Sequence, residues 1–112
     1  MSTAIELVRF AEFYERSNVW ATIEDFEDML RDNELYSGAE SLEDRLLRDG
    51  YLKKDEDGEI VPVDYYFFDN IFSLKTERTI RGHVTEERRE AVITGKGQVY
   101  FVNRFLAERG IQ

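Results

Sequence analysis

At Thr94 the apolar spacing of this chain changes from two to 3.6, a change that restricts the fold more than any other feature of the sequence. Upstream, Phe72, Leu74 and Thr76 alternate with Ser73, Lys75 and Glu77, the loop around Gly82-His83 reverses the chain, and Arg89 to Thr94 returns. That alternation predicts a half-buried β-hairpin. Downstream, Val99, Val102, Phe105 and Leu106 recur at helical spacing behind Thr94-Gly95-Lys96-Gly97-Gln98, with the Thr94 hydroxyl placed to cap the helix. A hairpin running straight into a helix, after other helical segments, predicts an α+β domain.

Those earlier segments begin with a helix expected from Thr3 to about Arg16. Ser2 or Thr3 caps it, Glu6 completes a capping box, and Leu7, Phe10, Ala11 and Tyr14 share a face that Ile5, Val8 and Phe13 widen. A stripe that wide suits core burial, or a dimer. Thr22 caps a second helix that buries Ile23, Phe26, Met29 and Leu30 and turns Glu24, Asp25, Glu27, Asp28, Arg31 and Asp32 outward. Ser37 and Glu40 form a capping box for a third helix, which buries Ala39, Leu42 and Leu46 and stops at Gly50. Two short helices joined by a tight connection make a helix-turn-helix candidate. Tyr51-Leu52-Lys53 reads as a short strand that turns at Asp57-Gly58 and returns at Ile60-Val61. Pro62 fits the first position of a short helix reaching Phe68, with Asn70 as its left-handed stop. With a β-hairpin wing and a C-terminal helix, the order of elements is winged-helix-like.

Charge bears on function more than on fold. The chain has 112 residues and a net charge of -9. Residues 24–49 carry -7, whereas residues 71–112 carry +3. The acidic middle repels nucleic acid and attracts basic protein surfaces. The length suits one domain. The absence of cysteine removes disulfides, thiolate zinc sites and a cysteine nucleophile, and His83 is the only histidine. No enzymatic activity, cofactor or metal is expected. No apolar run reaches membrane-spanning length, and the first residues lack the pattern of a secretion signal, so a cytoplasmic protein is expected.

Three blocks of sequence carry a family resemblance. Leu47-Arg48-Asp49-Gly50-Tyr51-Leu52, Pro62 followed by Ile71-Phe72-Ser73-Leu74-Lys75, and Ile93-Thr94-Gly95-Lys96-Gly97-Gln98-Val99-Tyr100-Phe101 stand in order along the chain. Together they resemble the KilAC domain, the C-terminal domain of phage antirepressor proteins. The resemblance covers residues 20–106 and leaves 1–19 as an N-terminal helical extension. It implies a winged-helix-type module of a phage or prophage, acting in a host bacterial cell in DNA binding or relief of repression. The third helix departs from a DNA-reading pattern, because Glu40, Glu43 and Asp44 stand where cations or amides would meet phosphates and bases.

Several motifs have simpler structural explanations. Gly95-x-Gly97 lacks the partners of a nucleotide loop and reads as a close-packed helix start. Asp55, Glu56, Asp57 and Glu59 lack the terminal glutamate of a calcium loop and read as a solvated turn. Tyr65-Tyr66-Phe67-Phe68 is expected to lie mostly in the core. Arg78, Arg81, Arg88 and Arg89, with Lys96, are the residues that could grip a phosphate backbone, but the interleaved Glu77, Glu86, Glu87 and Glu90 point to cross-strand ion pairing.

The expected site is therefore the acidic face formed by Glu24, Asp25, Glu27, Asp28, Asp32, Glu40, Glu43 and Asp44. Its expected partner is a basic DNA-binding protein, either a repressor or a host defence complex such as a CRISPR effector, held off DNA by mimicry of its charge. The alternatives are direct DNA binding through the basic wing and a dimeric structural adaptor built on the first helix.

Overall fold

A computed structural model describes residues 20–110. The helix expected over residues 3–16 lies outside them. The described chain is an α+β arrangement of β1 (Ala21–Thr22), α1 (Ile23–Asp32), α2 (Leu42–Arg48), β2 (Leu52–Lys54), β3 (Ile60–Pro62), α3 (Asp64–Phe68), β4 (Phe72–Arg81), β5 (Val84–Ile93) and α4 (Gly95–Glu108). Two antiparallel sheets form, one three-stranded in the order β1-β5-β4 and one two-stranded from β2 and β3.

Local chemistry accounts for most element ends. Thr22 Oγ1 accepts the Asp25 amide at 3.1 Å and starts α1. Asn70 takes a φ of 59° after α3, the left-handed conformation that asparagine tolerates better than most residues. The hairpin turn is Gly82-His83, with Arg81 opposite Val84. Gly82 has a φ of 61°, and positive φ at the first turn residue suits a two-residue hairpin of type II′. The return strand therefore begins at Val84, five residues earlier than the alternation from Arg89 suggested.

Two expected boundaries are corrected. The helix before Gly50 starts at Leu42 with Ser41 as its cap, not at Ser37, and Ala39 is exposed. Gly38 has a φ of 98°, which no helical residue adopts, and Arg31 donates to the carbonyls of Gly38 at 2.9 Å and Glu40 at 3.2 Å. The connection between α1 and α2 thus runs from Asn33 to Ser41 and is not tight. Pro62 ends β3 opposite Leu52 rather than opening a helix, and α3 starts behind Val63. A strand with one free edge admits a proline, which has no N–H to offer.

The core lies between the helices and one face of the three-stranded sheet. Phe26, Leu30, Leu42, Leu46, Phe72, Ile93, Phe101 and Val102 are among its most buried members. Val99, expected in the stripe of the last helix, is only partly buried, and Phe101 takes the inner place. The Tyr51 and Tyr100 hydroxyls share a 2.8 Å hydrogen bond, and burial together with that bond pushes the Tyr51 phenol up.

The Thr94–Gln98 segment ties α4 to the end of α3. Thr94 Oγ1 accepts the Gly97 amide at 2.9 Å and donates to the Asn70 carbonyl. A Cβ on Gly97 would stand 2.0 Å from the Ile71 carbonyl oxygen, so only glycine fits there. Lys96 Nζ is 3.0 Å from the Asp69 carbonyl oxygen and 3.3 Å from its carboxylate. Gln98 is buried, and its side-chain amide donates to the Ile93 carbonyl at 3.4 Å. The conspicuous glycines serve packing.

Candidate functional site

Helix α1 exposes Glu24, Asp25, Asp28 and Asp32. Glu24, Asp28 and Asp32 recur every four residues, so they form one row with a rise of about 6 Å between neighbours. Glu24 and Asp25 sit in the first turn, where the helix dipole favours them, but Asp32 lies at the opposite end, where it does not. Across the α1–α2 connection, Glu43 and Asp44 are exposed in the first turn of α2. These six carboxylates are open to solvent.

The other two expected members of the face are committed within the fold. Glu27 is half-buried, pairs with Arg31 at 2.8 Å and accepts the Leu42 amide at 2.6 Å. Burial pushes its carboxyl up, but the Leu42 amide and the Arg31 guanidinium outweigh that effect and hold it below its ordinary value. Glu40 lies in the connection and takes both Nε and Nη2 of Arg48, at 3.1 and 2.9 Å, which lowers its carboxyl as well.

Glu24 and Glu43 also border a cleft of about 520 Å³ between α1, α2, the β2–β3 turn and the base of the hairpin. Glu59, Glu77 and Glu90 join them in its lining, with Arg88, Arg89 and the apolar Ile23, Ile60 and Ala91. Residues far apart in sequence meet here because Glu77 and Arg88 are register partners in the hairpin, as are Lys75 and Glu90. The convergence of Glu59, Glu77 and Glu90 with the helices was missed in the sequence. Strand alternation puts Glu77, Arg88 and Glu90 on one face of the hairpin and Arg89 and Ala91 on the other, so the cleft lining draws on both faces, which the sequence pattern did not indicate. Asp55 shapes the neighbouring turn, accepting the Asp57 and Glu59 amides at 2.9 Å each and standing 3.9 Å from Arg89.

The expected cations do not gather into one stripe. Strand alternation sends Arg78 and Arg89 to one face of the hairpin and Arg81 and Arg88 to the other. Arg78 pairs with its cross-strand partner Glu87 at 2.7 Å, Arg89 faces Asp55, and Lys96 is held by Asp69. Among the described residues, Arg81 and Arg88 are the wing cations without an ion pair.

The aromatic run is corrected too. Tyr65 is 70% exposed and Phe68 78%, and of the four residues only Tyr66 packs against the core. Four consecutive aromatics on a five-residue helix point around its whole circumference, so they cannot all face inward.

No family model, curated protein or solved structure matches the chain. Among the described residues, no helix is long and apolar enough to cross a membrane, and no group of three or more acidic or histidine side chains is placed to hold a metal ion.

Proposed function

We propose that this protein is a phage-encoded, antirepressor-like regulator without enzymatic activity, acting in the host cytoplasm. It binds the basic, DNA-facing surface of a repressor or host defence complex and keeps that protein off DNA. In this reading α1 and α2 stand where a winged-helix protein would hold its DNA-reading helices, β4 and β5 form the wing, and the KilAC-like blocks reflect common ancestry. The observation that carries the proposal is the set of open carboxylates, with Glu24, Asp28 and Asp32 in a row on α1, Glu43 and Asp44 in the first turn of α2, and Glu24 and Glu43 together in the lining of the cleft. Such an array presents to a cationic surface the regular negative charge that a nucleic-acid backbone presents. Charge complementarity of this kind raises association rates and selects partners more than it adds affinity.

The test is capture of a basic DNA-binding protein from infected-host extract, repeated at rising salt. Binding that weakens with salt and disappears when Glu24, Asp25, Asp28 and Glu43 are all changed to lysine supports the reading. Undiminished inhibition by that variant sinks it. Arg81 and Arg88, unpaired on one face of the wing, favour DNA binding as the second reading. Failure to shift a DNA duplex at low salt removes that alternative.

A further inference from the structure

The outer half of the β4–β5 hairpin is a bare ribbon. Thr76 to Arg81 and Val84 to Glu90 are all exposed. β4 stands at the end of the strand order β1-β5-β4, so among the described residues no strand pairs with its outer edge. A long open edge is a template for another strand, and native sheets blunt such edges with proline, a bulge, a short strand or charge. β4 runs for ten residues without proline, in unbroken register with β5 from Phe72 to Arg81. Charge is its one defence, and the charges of Lys75, Glu77, Arg78 and Arg81 are mixed in sign. Because the two-residue turn closes on Arg81 and Val84, that pair exchanges hydrogen bonds within the hairpin, and the backbone groups of Thr76, Arg78 and Ile80 point outward.

The charge pattern decides what can cover this edge. Two copies of one strand related by a two-fold axis pair antiparallel, with the residue on the axis opposite itself. On β5, the run Glu86-Glu87-Arg88-Arg89-Glu90 sets a like charge against itself wherever the axis falls within it. On β4, an axis at Thr79 sets threonine against threonine and Glu77 of each copy opposite Arg81 of the other. It also sets the aliphatic stem of Arg78 opposite Ile80, which is 72% exposed in the single chain. An axis at Thr76 would match Lys75 with Glu77, but those two already stand 3.8 Å apart within one copy, and Ile80 would be driven against the buried Phe72 at the base of the sheet. We propose that a second copy of this chain covers the β4 edge, through antiparallel pairing of the two wings centred on Thr79. Arg81 then gains the ion pair that the described chain does not give it. This surface is separate from the acidic row on α1 and does not depend on the role proposed for that row.

The sequence holds no cysteine, so a single introduced thiol reports the register. Residues facing each other in a non-hydrogen-bonded pair have Cα atoms about 4.5 Å apart, within reach of a disulfide. In the full-length chain, Thr79→Cys is therefore expected to form a disulfide-linked dimer under mild oxidation, whereas Thr76→Cys is not. In sedimentation equilibrium the unsubstituted chain is expected to dimerise as its concentration rises. Arg81→Glu should raise the dissociation constant on the order of ten-fold, and Glu77→Arg combined with Arg81→Glu should restore it, because the two opposed pairs are then attractive again. A monomer at every concentration overturns the proposal, as does cross-linking through Thr76→Cys in place of Thr79→Cys, or a dimer that a folded Arg81→Glu variant leaves unchanged. If Arg81→Glu does not fold, the two cysteine variants decide.

Discussion

The Glu27 carboxylate accepts the amide of Leu42 at 2.6 Å, so a side chain of α1 closes the exposed amide end of α2. The same carboxylate holds Arg31, which grips the connection through the carbonyls of Gly38 and Glu40. Changing Glu27 to alanine is expected to cost about 1–3 kcal/mol, the range for a hydrogen bond to a charged group whose partners are left behind. Urea titration measures it. The effect also depends on pH. The Glu27 carboxyl titrates below its unfolded value of 4.5 in the folded protein. Its contribution is therefore fully present above that value and is lost as pH falls through the lower folded value. The stability difference between the parent and Glu27→Gln should narrow on acidification through that window, and a difference independent of pH would contradict the assignment.

The start of α4 makes two separable predictions. Thr94→Ala removes a cap and is expected to cost about 1–2 kcal/mol. Gly97→Ala places a carbon against the Ile71 carbonyl, a rigid backbone atom, and is expected to cost at least as much, in the range of about 1–3 kcal/mol or more for overpacking. A Gly97→Ala variant as stable as its parent would show that the junction of α3, β4 and α4 is looser than its geometry.

The elements that were legible in the sequence are those decided within three or four residues. Thr22, Thr94 and Asn70 act on their immediate neighbours, and each ends or starts its helix where the local pattern predicts. Ser37 and Ser41 expose the limit of that reasoning. Each is followed three residues later by an acidic side chain, so either could open a capping box. Tertiary partners decide between them, because Arg31 occupies the backbone of residues 38–40 and Arg48 takes Glu40. The candidate site divides in the same way. The row on α1 follows from helical spacing, whereas the retraction of Glu27 and the arrival of Glu59, Glu77 and Glu90 depend on contacts between distant elements.

The exposed ring of Phe68 predicts tolerance at a position that its chemistry would assign to a core. Phe68→Ser should change stability by less than about 0.5 kcal/mol. Phe72→Ala, at a fully buried position four residues on, should cost about 3–5 kcal/mol. Thermal denaturation of the two variants side by side checks the contrast. A large loss at Phe68 would mean that its ring is covered in the folded protein.

The row on α1 makes stability and binding move in opposite directions. Glu24, Asp28 and Asp32 stand at successive four-residue intervals, and each like-charged pair at that spacing opposes the helix by about 0.2–0.5 kcal/mol. Asp28→Lys converts both repulsions into attractions, with Glu24 placed N-terminal to the new lysine in the favourable order. The variant should therefore be more stable by about 1–2 kcal/mol in low salt, a gain that shrinks as salt is added. If the carboxylates recognise a cationic partner, the same change must weaken binding, because it places a like charge in the middle of the contact. Denaturation and binding measured on one preparation separate the two roles. A stabilised variant with undiminished binding would leave the row as a solvated surface, whereas a stabilised variant that no longer binds would show that the unfavourable charge spacing serves recognition.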